Sequence, residues 1–166
     1  YQKDQWLSLA AGYLLEQGLK ELGVEEYEIG CGPFGKPYLQ NIPDLHFGLS
    51  HSGHYAVCVF DHRPVGVDIE QLRPVSGALL QKVCTEAECR FLNAQSPEKV
   101  PEIFCRLWTA KESFMKLEGR GLQIIPKTIE VQLEPSLRLL YNQQPADVSL
   151  EEYTVEDHYI TVATRT

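Results

Sequence analysis

Apolar residues recur near helical spacing over residues 4–22, where Trp6, Leu9, Tyr13 or Leu14, and Leu22 predict an amphipathic helix containing Gly12 and Gly18. A turn-rich stretch follows. Gly-Pro-Phe-Gly-Lys-Pro at 32–37 predicts an irregular loop that carries Lys36. The period then shortens to two, and residues 46–49 and 55–60 predict short strands flanking a polar loop, Ser50-His51-Ser52-Gly53-His54. Asp61-His62-Arg63-Pro64 turns the chain into a third strand at 65–70, completing an antiparallel meander. Successive strand side chains face opposite sides, so Val67 and Ile69 point one way and Asp68 and Glu70 the other.

The middle of the chain reads as helical. Thr85 followed by Glu88 predicts a capping box, and Ser96-Pro97 or Pro101 supplies a helix start. The main helix is expected over 101–117, with Gly119 placed to stop it. At about 100° per residue, Phe104, Leu107, Trp108, Ala110, Phe114, Met115 and Leu117 share one half of its surface. Lys111 falls inside this apolar arc, whereas Glu112 and Lys116 lie at its edge beside Trp108. Strand-like patches return at 128–133, 137–141, 153–156 and 159–164. Strands before and after a helical centre make the class α+β.

The 166 residues suit one domain or two small lobes, and 43% hydrophobic with 23% charged residues is a globular composition. No apolar run approaches the roughly 20 residues that cross a bilayer, so no membrane partner is expected. A net charge of −8 argues against a nucleic-acid partner and makes individually placed cations notable. Five cysteines without a Cys-x-x-Cys pair fit neither a disulfide framework nor a zinc knuckle, which favours a reducing, cytoplasmic setting. The chain begins at Tyr1 and its only methionine is Met115, so the numbering is expected to start inside a longer translated protein.

Two readings of the charged residues stand side by side. In one, Lys111 snorkels to solvent, Glu112 and Lys116 form an i,i+4 surface pair, and Asp68 and Glu70 are simply solvated. In the other, Asp68, Glu70 and Glu112 form a hard oxygen site suited to magnesium, with Lys36, Lys111, Lys116 and His51 neutralising phosphate charge. Periodicity alone favours the first. His51-x-x-His54 lacks a third zinc ligand at a recognised spacing. A nucleophile from Ser50 or Ser52 with His51 lacks the Gly-x-Ser-x-Gly elbow, and sequence neighbours seldom share the required geometry.

Gly-Lys-Pro-Tyr (35–38), Leu-Ser-His-Ser (49–52), Gly-Val-Asp-Ile-Glu (66–70) and Trp-Thr-Ala-Lys-Glu-Ser-Phe-Met-Lys (108–116) occur in this order, and the last continues as Leu-Glu-Gly-Arg-Gly-Leu (117–122). In these motifs the chain resembles the surfactin-type 4′-phosphopantetheinyl transferases. The resemblance implies two similar α/β lobes related by a pseudo-twofold axis, antiparallel strands packed against helices, here residues 1–74 and 75–166. It implies magnesium-dependent transfer of phosphopantetheine from coenzyme A to a serine of an acyl or peptidyl carrier protein, releasing adenosine 3′,5′-bisphosphate, by a monomer. It assigns Asp68, Glu70 and Glu112 to the metal, Glu112 and Lys116 to catalysis, and Lys36, Ser50, His51, Lys111 and Lys116 to coenzyme A.

Family members usually carry more chain before the first helix, including basic residues for the nucleotide, and Leu7 stands where an arginine is common. Ser8 still offers a hydroxyl there. Leu79, Leu80 and Val83 with Lys82, or Phe114 and Met115, are candidates to dock a carrier, with core the favoured placement. The competing functions are a non-catalytic carrier- or nucleotide-binding module and a magnesium-dependent phosphohydrolase.

Overall fold

The structure, a computed structural model, describes residues 2–166. The side chains of residues 2–4 and 122, including Asp4 of the first expected helix and Leu122 at the end of the long motif, lie outside the described residues. In chain order the elements are α1 (Gln2–Glu21), β1 (Ile29–Cys31), β2 (Pro37–Leu39), β3 (His46–Ser52), β4 (Tyr55–Asp61), β5 (Val65–Gln71), α2 (Gly77–Val83) and α3 (Glu86–Asn93). They continue with α4 (Val100–Glu118), β6 (Ile129–Gln132), β7 (Arg138–Tyr141), β8 (Gln144–Pro145), β9 (Val148–Val155) and β10 (His158–Arg165). This is the expected α+β arrangement of antiparallel strands packed against helices.

Helix α1 has the predicted period but a different phase. Ala11, Leu15 and Leu19 are buried, whereas Trp6, Leu9 and Tyr13 are 67%, 65% and 61% exposed, and Leu14 and Leu22 also reach solvent. The small side of the helix turns inward because it permits close approach: a Cβ on Gly18 would lie 2.2 Å from the Phe60 ring. Leu15 and Leu19 join Leu39, Leu45 and Phe47 in one core cluster.

The 32–37 loop proves to be the turn of a small hairpin. β1 pairs antiparallel with β2, Gly32 N–H donates to Lys36 O at 2.8 Å, and Pro37 opens β2. The polar stretch after residue 49 is likewise less of a loop than expected. β3 and β4 pair antiparallel through Ser52 and Tyr55, which puts Ser50, His51 and Ser52 in the strand and leaves only Gly53-His54 to turn.

The meander does not close as the sequence suggests. β5 forms its ladder with β10, which in turn pairs with β9, instead of with β4. On its other side β5 lies along β3 in the same direction, joined by serine side chains: Ile69 N–H donates to Ser50 Oγ at 3.4 Å and Gln71 N–H to Ser52 Oγ at 3.2 Å. Side-chain bridging thus replaces a backbone ladder at this seam.

Helix α4 begins with Pro101 in its first turn and ends at Gly119, whose φ of 67° is the left-handed cap anticipated from the sequence. It lies hard against β5, since a Cβ on Gly66 would fall 2.2 Å from Ser113 O and 2.3 Å from Leu117 N. Phe104, Leu107, Ala110, Phe114, Met115 and Leu117 form the second core with Ile129, Val131 and Leu139. Val83, Phe114 and Met115 are therefore core, while Leu79 is partly exposed.

Candidate functional site

The β3–β5 seam is the floor of a cleft whose walls are α1 and α4. The cleft measures about 790 Å³ and is lined by Ser8 and Ala11 of α1, Gly35 and Pro37, Leu49, Ser50 and His51 of β3, Asp68 and Glu70 of β5, and Trp108, Glu112 and Lys116 of α4. Strand alternation put Asp68 and Glu70 on one side of β5, and the helix period put Trp108, Glu112 and Lys116 along one edge of α4. Sequence segments far apart therefore meet at one place.

Asp68 is 4% exposed. Its Oδ1 accepts hydrogen bonds from Ser50 Oγ at 2.9 Å and Lys116 Nζ at 2.6 Å, but its buried Oδ2 has no partner among the described residues. Burial pushes the Asp68 carboxyl up to about 6, opposed by the Lys116 ammonium and reinforced by Glu70. Glu112 is half-buried, and burial followed by repulsion from Asp68 lifts it to about 7, against the pull of Lys116. Glu70 Oε2 accepts from Ser52 Oγ at 3.2 Å.

Three carboxylates so placed repel one another in a poorly solvated cleft, and one of them keeps a buried acceptor unmatched. Such a donor set fits a hard divalent cation. Among the described residues no group of three His, Cys, Asp or Glu side chains forms a metal shell as it stands. That is compatible with magnesium, which takes few protein ligands and fills its shell with water and phosphate oxygens.

The remaining predicted site residues divide. His51 is exposed at the cleft, and Lys116 donates from its wall both to Asp68 and to Ser50 Oγ, the latter at 2.7 Å. Ser50 lines the cleft but is buried, and its hydroxyl is engaged by Asp68, Lys116 and the Ile69 N–H. Lys36 is turned into a neighbouring pocket of about 250 Å³, where its ammonium donates to Val65 O and Leu117 O, each at 3.0 Å. Burial draws Lys36 down from 10.5 to about 8.

Lys111 is not brought to the site. It is 1% exposed, and its ammonium donates to Glu88 Oε2 at 2.7 Å, Val83 O at 2.9 Å and Pro126 O at 3.1 Å. Neither the solvent-directed lysine nor the coenzyme A contact expected from the sequence describes it. Glu88, the far member of the Thr85 capping box, is the reason: its Oε2 also accepts the Thr85 N–H and its Oε1 the Val131 N–H, so the buried charge pair is saturated.

One participant is not evident from local motifs: Ser52 is a nucleophile candidate by sequence, yet Ser50-x-Ser52 repeats the spacing of Asp68-x-Glu70 and its hydroxyl meets Glu70. Glu88, expected as a cap, is the buried partner of Lys111 away from the cleft.

A sequence profile of the 4′-phosphopantetheinyl transferase superfamily matches residues 64–163. The chain belongs to this superfamily. Its curated relatives place it with the surfactin-type class: it is 38% identical over 113 residues to the 4′-phosphopantetheinyl transferase Sfp of Bacillus subtilis, covering 68% of this chain and 50% of that protein. It is 32% identical over 160 residues to the 4′-phosphopantetheinyl transferase HetI of Nostoc, covering 92% of this chain and 64% of HetI. The chain thus spans about half the length of curated relatives such as Sfp. The fold resembles the holo-[acyl-carrier-protein] synthase of Thermotoga maritima, with a TM-score of 0.51 and 16% identity over 61% of this chain and 62% of that one. The synthase of Neisseria meningitidis gives a TM-score of 0.50 at 21% identity, covering 62% of this chain and 97% of that one.

Proposed function

We propose that this chain transfers the 4′-phosphopantetheine group of coenzyme A to a serine of an apo acyl or peptidyl carrier protein. The observation that carries this reading is the single cleft in which Asp68, Glu70, Glu112, Lys116 and His51 converge, with the buried Asp68 Oδ2 left unpartnered. Membership of the superfamily supports the same chemistry.

In this reading Asp68, Glu70 and Glu112 would hold Mg²⁺ beside bound coenzyme A. Bound there, the ion supplies charge neutralisation at the phosphoryl oxygens. Glu112, on the α4 wall of the cleft, is the carboxylate placed to take the proton of the incoming serine hydroxyl directly or through water. The serine oxygen then bonds to the phosphorus that carries the pantetheine arm, the bond from that phosphorus to the bridging oxygen breaks, and adenosine 3′,5′-bisphosphate leaves. Lys116 stabilises the negative charge gathering on the phosphoryl oxygens and the leaving group. His51, exposed at the cleft, and Ser8 on its α1 wall are the groups available to the nucleotide.

The division into lobes at 1–74 and 75–166, action as a monomer and a reducing, cytoplasmic setting belong to the same proposal, the last supported by five free cysteines. Incubation with coenzyme A, Mg²⁺ and an apo carrier, followed by mass spectrometry of the carrier, tests it. A carrier heavier by one phosphopantetheine supports transfer. Hydrolysis of coenzyme A with an unchanged carrier supports a phosphohydrolase, and binding without turnover supports a non-catalytic module.

A further inference from the structure

We infer that Ser52 is a positioning residue for Glu70, an inference that rests on the metal-binding reading above and deepens it. Ser50 and Ser52 share one side of β3, as Asp68 and Glu70 share one side of β5. The two pairs are both 18 residues apart and repeat one pattern. Ser50 Oγ donates to Asp68 and accepts the N–H of the next residue, Ile69; Ser52 Oγ donates to Glu70 and accepts the N–H of the next residue, Gln71. A hydroxyl has one proton to give, and accepting a backbone N–H leaves that proton aimed at the carboxylate.

The pairs differ in what else holds them. Asp68 is short, buried and also fixed by Lys116, whereas Glu70 is half-buried on a longer, more flexible side chain. Among the described residues Ser52 is the side chain that restrains it. Groups in this relation to a metal-binding carboxylate orient it, and their removal weakens metal binding by about 10- to 100-fold.

The turn after Ser52 is itself immobilised. Gly53 adopts a φ of 61°, and a Cβ there would lie 2.2 Å from Nε2 of the buried His158. The His158 ring meets Tyr55 edge-on at 4.9 Å, and His158 is the register partner of Gln71 across β5 and β10. The hairpin tip therefore seats on an element anchored to β5, and Ser52 cannot slide along β5 without displacing that ring.

Mn²⁺ binding to the coenzyme A-saturated protein, followed by electron paramagnetic resonance, tests the inference. Ser52→Ala is expected to weaken Mn²⁺ binding by about 10-fold or more in a protein that still folds, with a modest drop in melting temperature from the lost Gln71 N–H contact, and Ser52→Thr, which keeps the hydroxyl, to restore the affinity. In a Glu70→Gln background, itself weakened, Ser52→Ala is expected to add nothing. Undiminished affinity in Ser52→Ala, or an Ser52→Ala effect that persists beside Glu70→Gln, overturns the positioning role while leaving the metal assignment intact. Undiminished affinity in Glu70→Gln, or no Mn²⁺ binding at all, overturns the metal reading and this inference with it.

Discussion

Asp68 and Glu112 are held in a place where their charges are poorly solvated, and this has a consequence for stability. Their carboxyls lie at about 6 and about 7 in the folded protein, above the ordinary 3.8 and 4.5. Between those limits the folded state binds more protons than the unfolded chain, so these groups favour folding at low pH and that contribution is lost as pH rises through about 6 to 7. Without divalent metal, the melting temperature is therefore expected to be higher near about pH 5 than near about pH 8, and Mg²⁺ with coenzyme A is expected to recover the loss mainly at the higher pH. Calorimetry at the two pH values checks this, and a metal-free protein that gains stability across the interval would contradict it. In the proposed transfer Glu112 has the further task of accepting a proton. Glu112→Gln is expected to lower carrier modification by at least about 100-fold while coenzyme A still binds, because general-base assistance contributes on that order.

At the scale of elements, α4 carries two lysines with different work, and Lys111 with its neighbour Glu112 shows how far periodicity reaches. The helix wheel placed Lys111 in an apolar arc, and the Thr85–Glu88 spacing announced a capping box. That these two features are one network depends on α3 meeting α4 across the fold, which no local spacing encodes. Lys111→Met, which leaves Glu88 charged and buried, is expected to cost about 3–5 kcal/mol in urea denaturation without altering coenzyme A binding. Lys116→Met is expected to cost less stability, because Lys116 is partly exposed and Asp68, already lifted to about 6, takes up a proton when its partner is gone, and to cause a large loss of transfer. The packing of α4 on β5 is equally specific: Gly66→Ala would drive a methyl into helix backbone at Ser113 and Leu117 and is expected to cost about 3 kcal/mol or prevent folding. The same limit explains α1. Apolar residues occupy both of its faces, and the buried one is the face where Gly18 lets the helix approach Phe60 and Leu15 and Leu19 reach the core.

For the whole molecule, the strands were legible but their pairing was not. Turn chemistry at 61–64 suggested a meander, yet β5 pairs with β10, close to the other end of the chain, and touches β3 through serine hydroxyls. That exchange creates the seam on which Asp68 and Glu70 stand, so the cleft is a product of long-range pairing. Its acidic residues were nevertheless readable, because motif order fixed their identity where periodicity left a surface ion pair the simpler account. The proposed transfer of phosphopantetheine stands or falls with mass spectrometry of an apo carrier protein incubated with this chain, coenzyme A and Mg²⁺. A carrier heavier by one phosphopantetheine on its serine, with the gain lost on chelation of the metal, is the expected result, and a carrier of unchanged mass would contradict it.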